Sequence, residues 1–282
     1  MPVWLLLLAL LAPLAPELPA AGTPSQPVQV YDLVPAPTPP AIRARAAILI
    51  DVDAGSTIFE RNPHLPSAPA SLTKVMTALV ALDLMPLGQV VSVPADINRL
   101  PWDSTRMGLR PGERLSVREL MAGLFLNSGN DAAVTLSEAA TPQSTFIARM
   151  NARAAALGMV DSHFVNPIGL DDPGHFASAA DLARASMELG RRFPEVAAMA
   201  ALPAMTLAAT AGHHAYSLYN LNQLVRTYPG ATGLKTGWTG HAGGCLIATA
   251  TRGGRHLLLV VLGSPRVFDE AAALLDYGFA TL

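Results

Sequence analysis

Strand-like patterning stands near both ends of the folded part of this chain, with helical spacing between, and that order constrains the fold more than any other feature. Ala46-Ala47-Ile48-Leu49-Ile50-Asp51 reads as a strand, Asp53-Ala54-Gly55-Ser56 as a turn and Thr57-Ile58-Phe59-Glu60 as the returning strand of a hairpin. Apolar residues at helical spacing then predict helices over 72–84, 117–126, 131–139, 146–157 and 179–189. Ser116, followed three residues later by Glu119, has the form of a capping box at one of these starts. After about residue 202 the pattern changes: 205–209, 214–218, 244–251 and 256–262 read as strands, with Gly253-Gly254 a hairpin turn. An amphipathic helix over 268–279 closes the chain. Strands, a block of helices, then strands again imply one sheet completed from both chain ends with a helical lobe inserted between.

Composition narrows the class of partner. Of 282 residues, 51% are apolar and only 14% charged, which excludes a disordered chain. Nineteen basic against 21 acidic residues leave a formal charge of −2, so neither nucleic acid nor an anionic membrane surface finds an electrostatic footprint. The single cysteine, Cys245, allows no internal disulfide and reads as a small core residue on a strand. Residues 4–14 form an apolar run that contains Pro13 and is too short to span a bilayer. With Ala20-Ala21-Gly22 after it, residues 1–22 read as a signal peptide for export, though no Lys or Arg precedes the run. Residues 23–42 carry six prolines and read as an extended linker, which leaves 43–282 as the folded domain.

Only two of the 19 basic residues, Lys74 and Lys235, are lysines. Arg keeps its proton at accessible pH, whereas a buried Lys can become a neutral base. Both lysines fall inside motifs. Ser71-Leu72-Thr73-Lys74 opens a helix, where a spacing of three puts serine and lysine on one face. A serine hydroxyl needs an adjacent base to become a nucleophile, and an apolar setting near a second cation would lower the pKa of Lys74 enough to supply one. Asn127-Ser128-Gly129-Asn130-Asp131 lies between two helices and presents a hydroxyl and a carboxamide. Gly233-Leu234-Lys235-Thr236-Gly237 stands where a strand should begin. S-x-x-K, S-x-N and K-T-G in this order form the signature of penicillin-binding proteins and serine β-lactamases.

With these motifs, the chain resembles the low-molecular-weight D-alanyl-D-alanine carboxypeptidases of peptidase family S11. The likeness runs from about 43 to 282 and extends through His163-Phe164-Val165-Asn166-Pro167-Ile168-Gly169-Leu170-Asp171-Asp172-Pro173-Gly174-His175, the helix start over 178–182, and Leu274-Leu275-Asp276-Tyr277-Gly278-Phe279. The resemblance implies an α/β (α+β) fold, a mixed, mainly antiparallel sheet flanked by helices, with the site in the cleft beside the inserted lobe. By position, it makes Ser71 the acyl-ester nucleophile and Lys74 its proton acceptor. Ser128 would relay a proton between Lys74 or Lys235 and the leaving amine, and Asn130 would hold the substrate amide. Lys235, with Thr236 and Thr239, would bind the terminal carboxylate, and Arg266 is a further candidate for it. The backbone N–H groups of Ser71 and Trp238 would form the oxyanion hole. The implied substrate is a peptidoglycan pentapeptide ending in D-Ala-D-Ala, and β-lactams would be covalent inhibitors. Two departures stand out: Trp238 where relatives often have His, and Ile168 at a position often polar. The second domain and C-terminal membrane anchor of larger members are not expected here.

Other constellations carry weaker readings. His213-His214 on a strand would point to opposite faces and could not chelate one ion. Asp171, Asp172 and His175 fit a turn, and the resemblance accounts for them without metal or cofactor. Asp51 and Asp53 flank a hairpin turn, where solvation is expected. Tyr216 to Tyr219, near Asn220 and Asn222, suit either the approach to the cleft or the core. No G-x-S-x-G elbow points to an α/β-hydrolase. A β-lactamase would need a fast deacylation device such as Glu in E-x-x-L-N, and none of the eight glutamates has that context. A silent wall-binding scaffold would have no chemical reason to keep the two lysines where they are.

Overall fold

The computed structural model describes residues 37–282, so the expected signal peptide and the first part of the proline-rich segment lie outside the described residues. In chain order the elements are β1 (Ala46–Asp51), β2 (Ser56–Arg61), α1 (Lys74–Leu84), β3 (Val90–Ser92), β4 (Arg114–Ser116), α2 (Val117–Leu126), α3 (Asn130–Ala140), α4 (Gln143–Ala156), α5 (Ala179–Arg192), α6 (Pro194–Ala200), β5 (Ala204–Leu207), β6 (Tyr216–Tyr219), α7 (Leu224–Thr227), β7 (Ala231–Thr239), β8 (Gly243–Arg252), β9 (Arg255–Ser264) and α8 (Val267–Thr281). A 3₁₀ turn, Ala70–Thr73, leads into α1.

Five strands make the central sheet in the order β2-β1-β9-β8-β7. Every pairing in it is antiparallel, so the mainly antiparallel sheet expected from the resemblance is antiparallel throughout. The two chain ends meet where β1 pairs with β9, Ala46 opposite Leu262 and Asp51 opposite Leu257. Leu257–Leu262 of β9 is an unbroken apolar run because both faces of the sheet are covered. Ala47, Leu49, Leu257, Leu259 and Val261 pack with Leu274 and Leu275 of α8 on one face. The intervening residues, Ile48, Ile50, Leu258, Val260 and Leu262, join a larger core with Met76 and Leu79 of α1 and Leu182 of α5 on the other. The capping box forms as read: Ser116 accepts from the Glu119 N–H, and the Glu119 side chain accepts from the Ser116 N–H.

Several expectations are corrected. β5 and β6 pair only with each other, as do β3 and β4, so the 205–218 region is a separate hairpin and no part of the central sheet. His213 and His214 precede β6, and they face different glutamates, Glu119 and Glu113. Asp51 is buried and accepts from the Asp53 and Ala54 N–H groups, closing the turn that was expected to leave it solvated. Helix α6 is not among the helices expected from spacing; its Pro194 sits in the first turn, where the missing N–H costs nothing. Folded contacts begin slightly before the expected boundary: Ile42 is buried in the α8-side core.

Candidate active site

The nucleophile turn is built under constraint. Ala70, one residue before Ser71, holds φ +48°, a left-handed conformation that costs a non-glycine residue free energy. Two glycines allow the close approaches that hold it. A Cβ on Gly169 (φ +86°) would lie 1.9 Å from the Ala70 carbonyl oxygen, and a Cβ on Gly237 would lie 3.1 Å from the Ser71 nitrogen. Gly237 belongs to β7, so the K-T-G strand lies directly against the amide of Ser71, with Trp238 next along the same strand. That juxtaposition suits the expected pair of oxyanion donors.

Lys74 is fully buried behind the serine. Its Nζ lies 2.7 Å from Ser71 Oγ, 2.6 Å from Asn130 Oδ1 and 3.0 Å from the Ile168 carbonyl oxygen. Burial, then the nearby positive charge of Lys235, holds its pKa well below the ordinary lysine value, with Asp131 pulling the other way. A neutral amine has two N–H donors and one lone pair. In its neutral form the amine would spend both donors on the two carbonyl oxygens and keep its lone pair for the Ser71 hydroxyl proton. Ile168 offers its backbone carbonyl to Lys74, and the residue also lines the cleft.

The opposite wall comes from the turn between α2 and α3. Ser128 lines the cleft with φ +54°, and its carbonyl accepts from Thr105 Oγ1 at 2.8 Å. Asn130 donates from its N–H to the Thr105 carbonyl and from Nδ2 to Ser104 Oγ. Asp131, missed as a functional position, is buried at the start of α3 and accepts from the N–H groups of Met107, Gly108 and Leu109 at 2.9–3.0 Å. It ties the 107–109 segment to the turn that carries Ser128 and Asn130. Its place at a helix N-terminus after Ser-Gly-Asn was the available signal.

Lys235 is buried, its Nζ donating to the Thr236 carbonyl at 2.8 Å, and burial lowers its pKa to about 7. Thr236, Trp238 and Thr239 line the cleft of about 560 Å³, together with Ser71, Ser128 and Asn130. Trp238 is 73% exposed at the rim. The Thr239 hydroxyl is engaged, donating to Asp171 Oδ1 at 2.8 Å and accepting from the Ala242 N–H. Arg266 is not brought to the cleft wall: its Nε pairs with Asp269 at 2.9 Å, while Val267 and Phe268 beside it line the cleft. Cys245 borders the cleft floor, but burial pushes its thiol up to about 11, which leaves it protonated and inert. Asp172 accepts from the Gly174 N–H, and His175 is buried against Thr73. Of the tyrosine pair, Tyr216 is buried and bonded to Glu113, whereas Tyr219 is exposed.

An antiparallel sheet whose β7 edge borders a serine–lysine pair, opposed by a helical lobe that carries S-x-N, defines the class of active-site-serine, penicillin-binding peptidases. The chain belongs to peptidase family S11, D-alanyl-D-alanine carboxypeptidase, whose family model matches residues 34–266. It is 37% identical to D-alanyl-D-alanine carboxypeptidase DacB2 of Mycobacterium tuberculosis over 262 residues, 90% of this chain and 87% of that one. It is 36% identical to DacC of Escherichia coli, of which it spans 62%. Among solved structures, a D-alanyl-D-alanine carboxypeptidase of M. tuberculosis superposes with a TM-score of 0.77 at 35% identity, covering 88% of this chain and 94% of that one. The Streptomyces K15 DD-transpeptidase superposes with a TM-score of 0.79 at 27% identity, covering 86% and 99%.

Proposed function

We infer that this protein is a serine-type D-alanyl-D-alanine carboxypeptidase that removes the terminal D-Ala from peptidoglycan stem peptides through an acyl-enzyme on Ser71. The observation that carries this reading is the amine of Lys74, buried, 2.7 Å from Ser71 Oγ and with both other contacts on carbonyl oxygens. Lys74 takes the hydroxyl proton as Ser71 Oγ attacks the carbonyl of the penultimate D-Ala. The N–H groups of Ser71 and Trp238 receive the developing oxyanion, a contribution of about 10²–10³ in rate per donor in comparable sites. The Ser128 hydroxyl passes the proton to the departing D-Ala amine, and Asn130 holds the peptide amide. Lys235 and the Thr236 hydroxyl hold the terminal carboxylate, and burial, with Lys235 nearby, holds the Lys74 pKa low. Water then releases the shortened peptide. The engaged hydroxyl of Thr239 gives it a supporting part, and Arg266 would need to leave Asp269 to contribute.

β-Lactams would acylate the same serine, because their strained amide takes the place of the scissile peptide bond. Among the described residues no glutamate lines the cleft, which favours a persistent acyl-enzyme over rapid drug hydrolysis. This chemistry belongs to the cell wall, so we place the protein outside the cytoplasmic membrane, exported by residues 1–22, with 43–282 as its catalytic domain and roles in wall biogenesis and cell shape. No helix among the described residues is long and apolar enough to cross a membrane. An intact-mass time course with a penicillin tests the reading. A persistent one-drug adduct that is absent in Ser71→Ala supports it, and hydrolysed drug with only a transient adduct would replace it with a β-lactamase.

A further inference from the structure

The 165–175 segment grips the start of α1 at three places. The Thr77 hydroxyl donates to the Pro167 carbonyl at 2.6 Å, Lys74 Nζ contacts the Ile168 carbonyl, and Thr73 Oγ1 lies 2.8 Å from His175 Nε2. The first two are backbone acceptors that almost any residue could supply. The third needs this side chain. His175 Nδ1 accepts from the Val165 N–H at 3.1 Å, so the ring hydrogen sits on Nε2 and is donated to Thr73 Oγ1. The Thr73 hydroxyl in turn donates to the Ala70 carbonyl at 2.8 Å. The chain of donors therefore runs Val165 N–H, His175, Thr73, Ala70 C=O, and it ends on the left-handed residue that sets the direction of Ser71. Gly169 presses on the same carbonyl from the other side.

We propose that His175 is a positioning residue for the nucleophile: through the Thr73 hydroxyl it fixes the Ala70 carbonyl, and so holds Ser71 Oγ in line with Lys74 and the acyl carbon. The ring is fitted for this by its surroundings. It is buried edge-on to Phe164, with centroids 5.7 Å apart. Burial lowers its pKa to about 4, helped by His163 and opposed by Asp172 and Asp171, so the neutral tautomer that the relay requires persists across the physiological range. A doubly protonated ring would turn a donor toward the Val165 N–H and break the relay at its origin. Neither His175 nor Thr73 touches the cleft, so each acts only through the turn.

The inference rests on Ser71 as the acylated residue, and the experiment separates the two. Stopped-flow acylation by a chromogenic β-lactam is measured for the whole protein, resolving the non-covalent dissociation constant from the acylation rate constant. His175→Leu should slow acylation by about tenfold or more, as expected when a reacting group loses its orientation, with the dissociation constant unchanged. His175→Gln, which restores an N–H donor at the Nε2 position, should recover most of the rate. Thr73→Val should match His175→Leu, and the double variant should be no slower than either single one, because the two act in one relay. Thr73→Ser should retain the rate. Equal rates for wild type and Thr73→Val, or losses that multiply in the double variant, would overturn the proposal even if His175→Leu failed to fold. Absence of acylation in the wild type would instead overturn the catalytic reading itself.

Discussion

The two faces of the central sheet are built to different rules. On the α8 face the alternate side chains of β1, β8 and β9 meet Leu274 and Leu275 in an apolar layer. Its buried polar exception, Glu270, is satisfied by the N–H groups of Arg43 and Ala44 and by the Ser264 hydroxyl. The α1 face holds the larger apolar core, yet at its margin it buries Lys74, Lys235, Asn130, Asp131 and Ser128. It also carries two of the three non-glycine residues with left-handed φ among the described residues, Ala70 and Ser128. Buried titratable groups and backbone strain thus sit beside the proposed nucleophile and base, and the reading we propose calls for a neutral lysine and a fixed serine there. The regular α8 face supplies stability without those costs.

The largest effect that would test this division is on Lys74. Lys74→Arg keeps a permanent charge and loses the lone pair, so acylation should fall by about 10²–10⁴, the usual worth of a positioned general base. An acylation rate near wild type would mean that the buried amine is not the base. On the other face, Leu259→Ala should cost about 2–5 kcal/mol in denaturant unfolding, as large-to-small core changes do, while the folded protein acylates at its normal rate. If that variant slowed acylation as much as it lowered stability, the two faces would not be separable.

A smaller effect lies in the pH dependence of stability. Lys235 titrates near 7 when folded, against an ordinary lysine value of 10.5, so between these limits the unfolded chain binds the extra proton. Stability should therefore rise with pH through this window and be lost as pH falls toward 7, by up to about 1.4 kcal/mol per pH unit for this one group. Lys74, displaced in the same direction, adds to the trend. Lys235→Met should flatten part of the slope, and an unchanged slope in urea melts at pH 7, 8 and 9 would show that Lys235 keeps its ordinary pKa in the fold. The smallest effect is expected at the rim. Trp238→Ala removes a ring that is 73% exposed and leaves the backbone N–H in place, so stability should move by no more than about 0.5 kcal/mol.

What depends on neighbours in sequence was legible before any fold was known. The i, i+3 pair Ser71 and Lys74, the Ser116/Glu119 capping box, the Gly253-Gly254 turn and the strands over 244–262 all follow from spacing of a few residues, and the structure contains each. The choice of Lys at only two of 19 basic positions even marked two of the residues whose pKa values burial depresses. Tertiary structure decided what spacing cannot express. It placed β1 beside β9, some 200 residues on, set β5 and β6 apart from the main sheet, and buried Asp51. It turned Arg266 toward Asp269, engaged Thr239 with Asp171, and joined His175 to Thr73 across 102 residues. The physical reason is common to all of these. A local pattern states which face of an element is apolar, but which surfaces meet, and hence which charges lose their water, is settled only when the whole core closes.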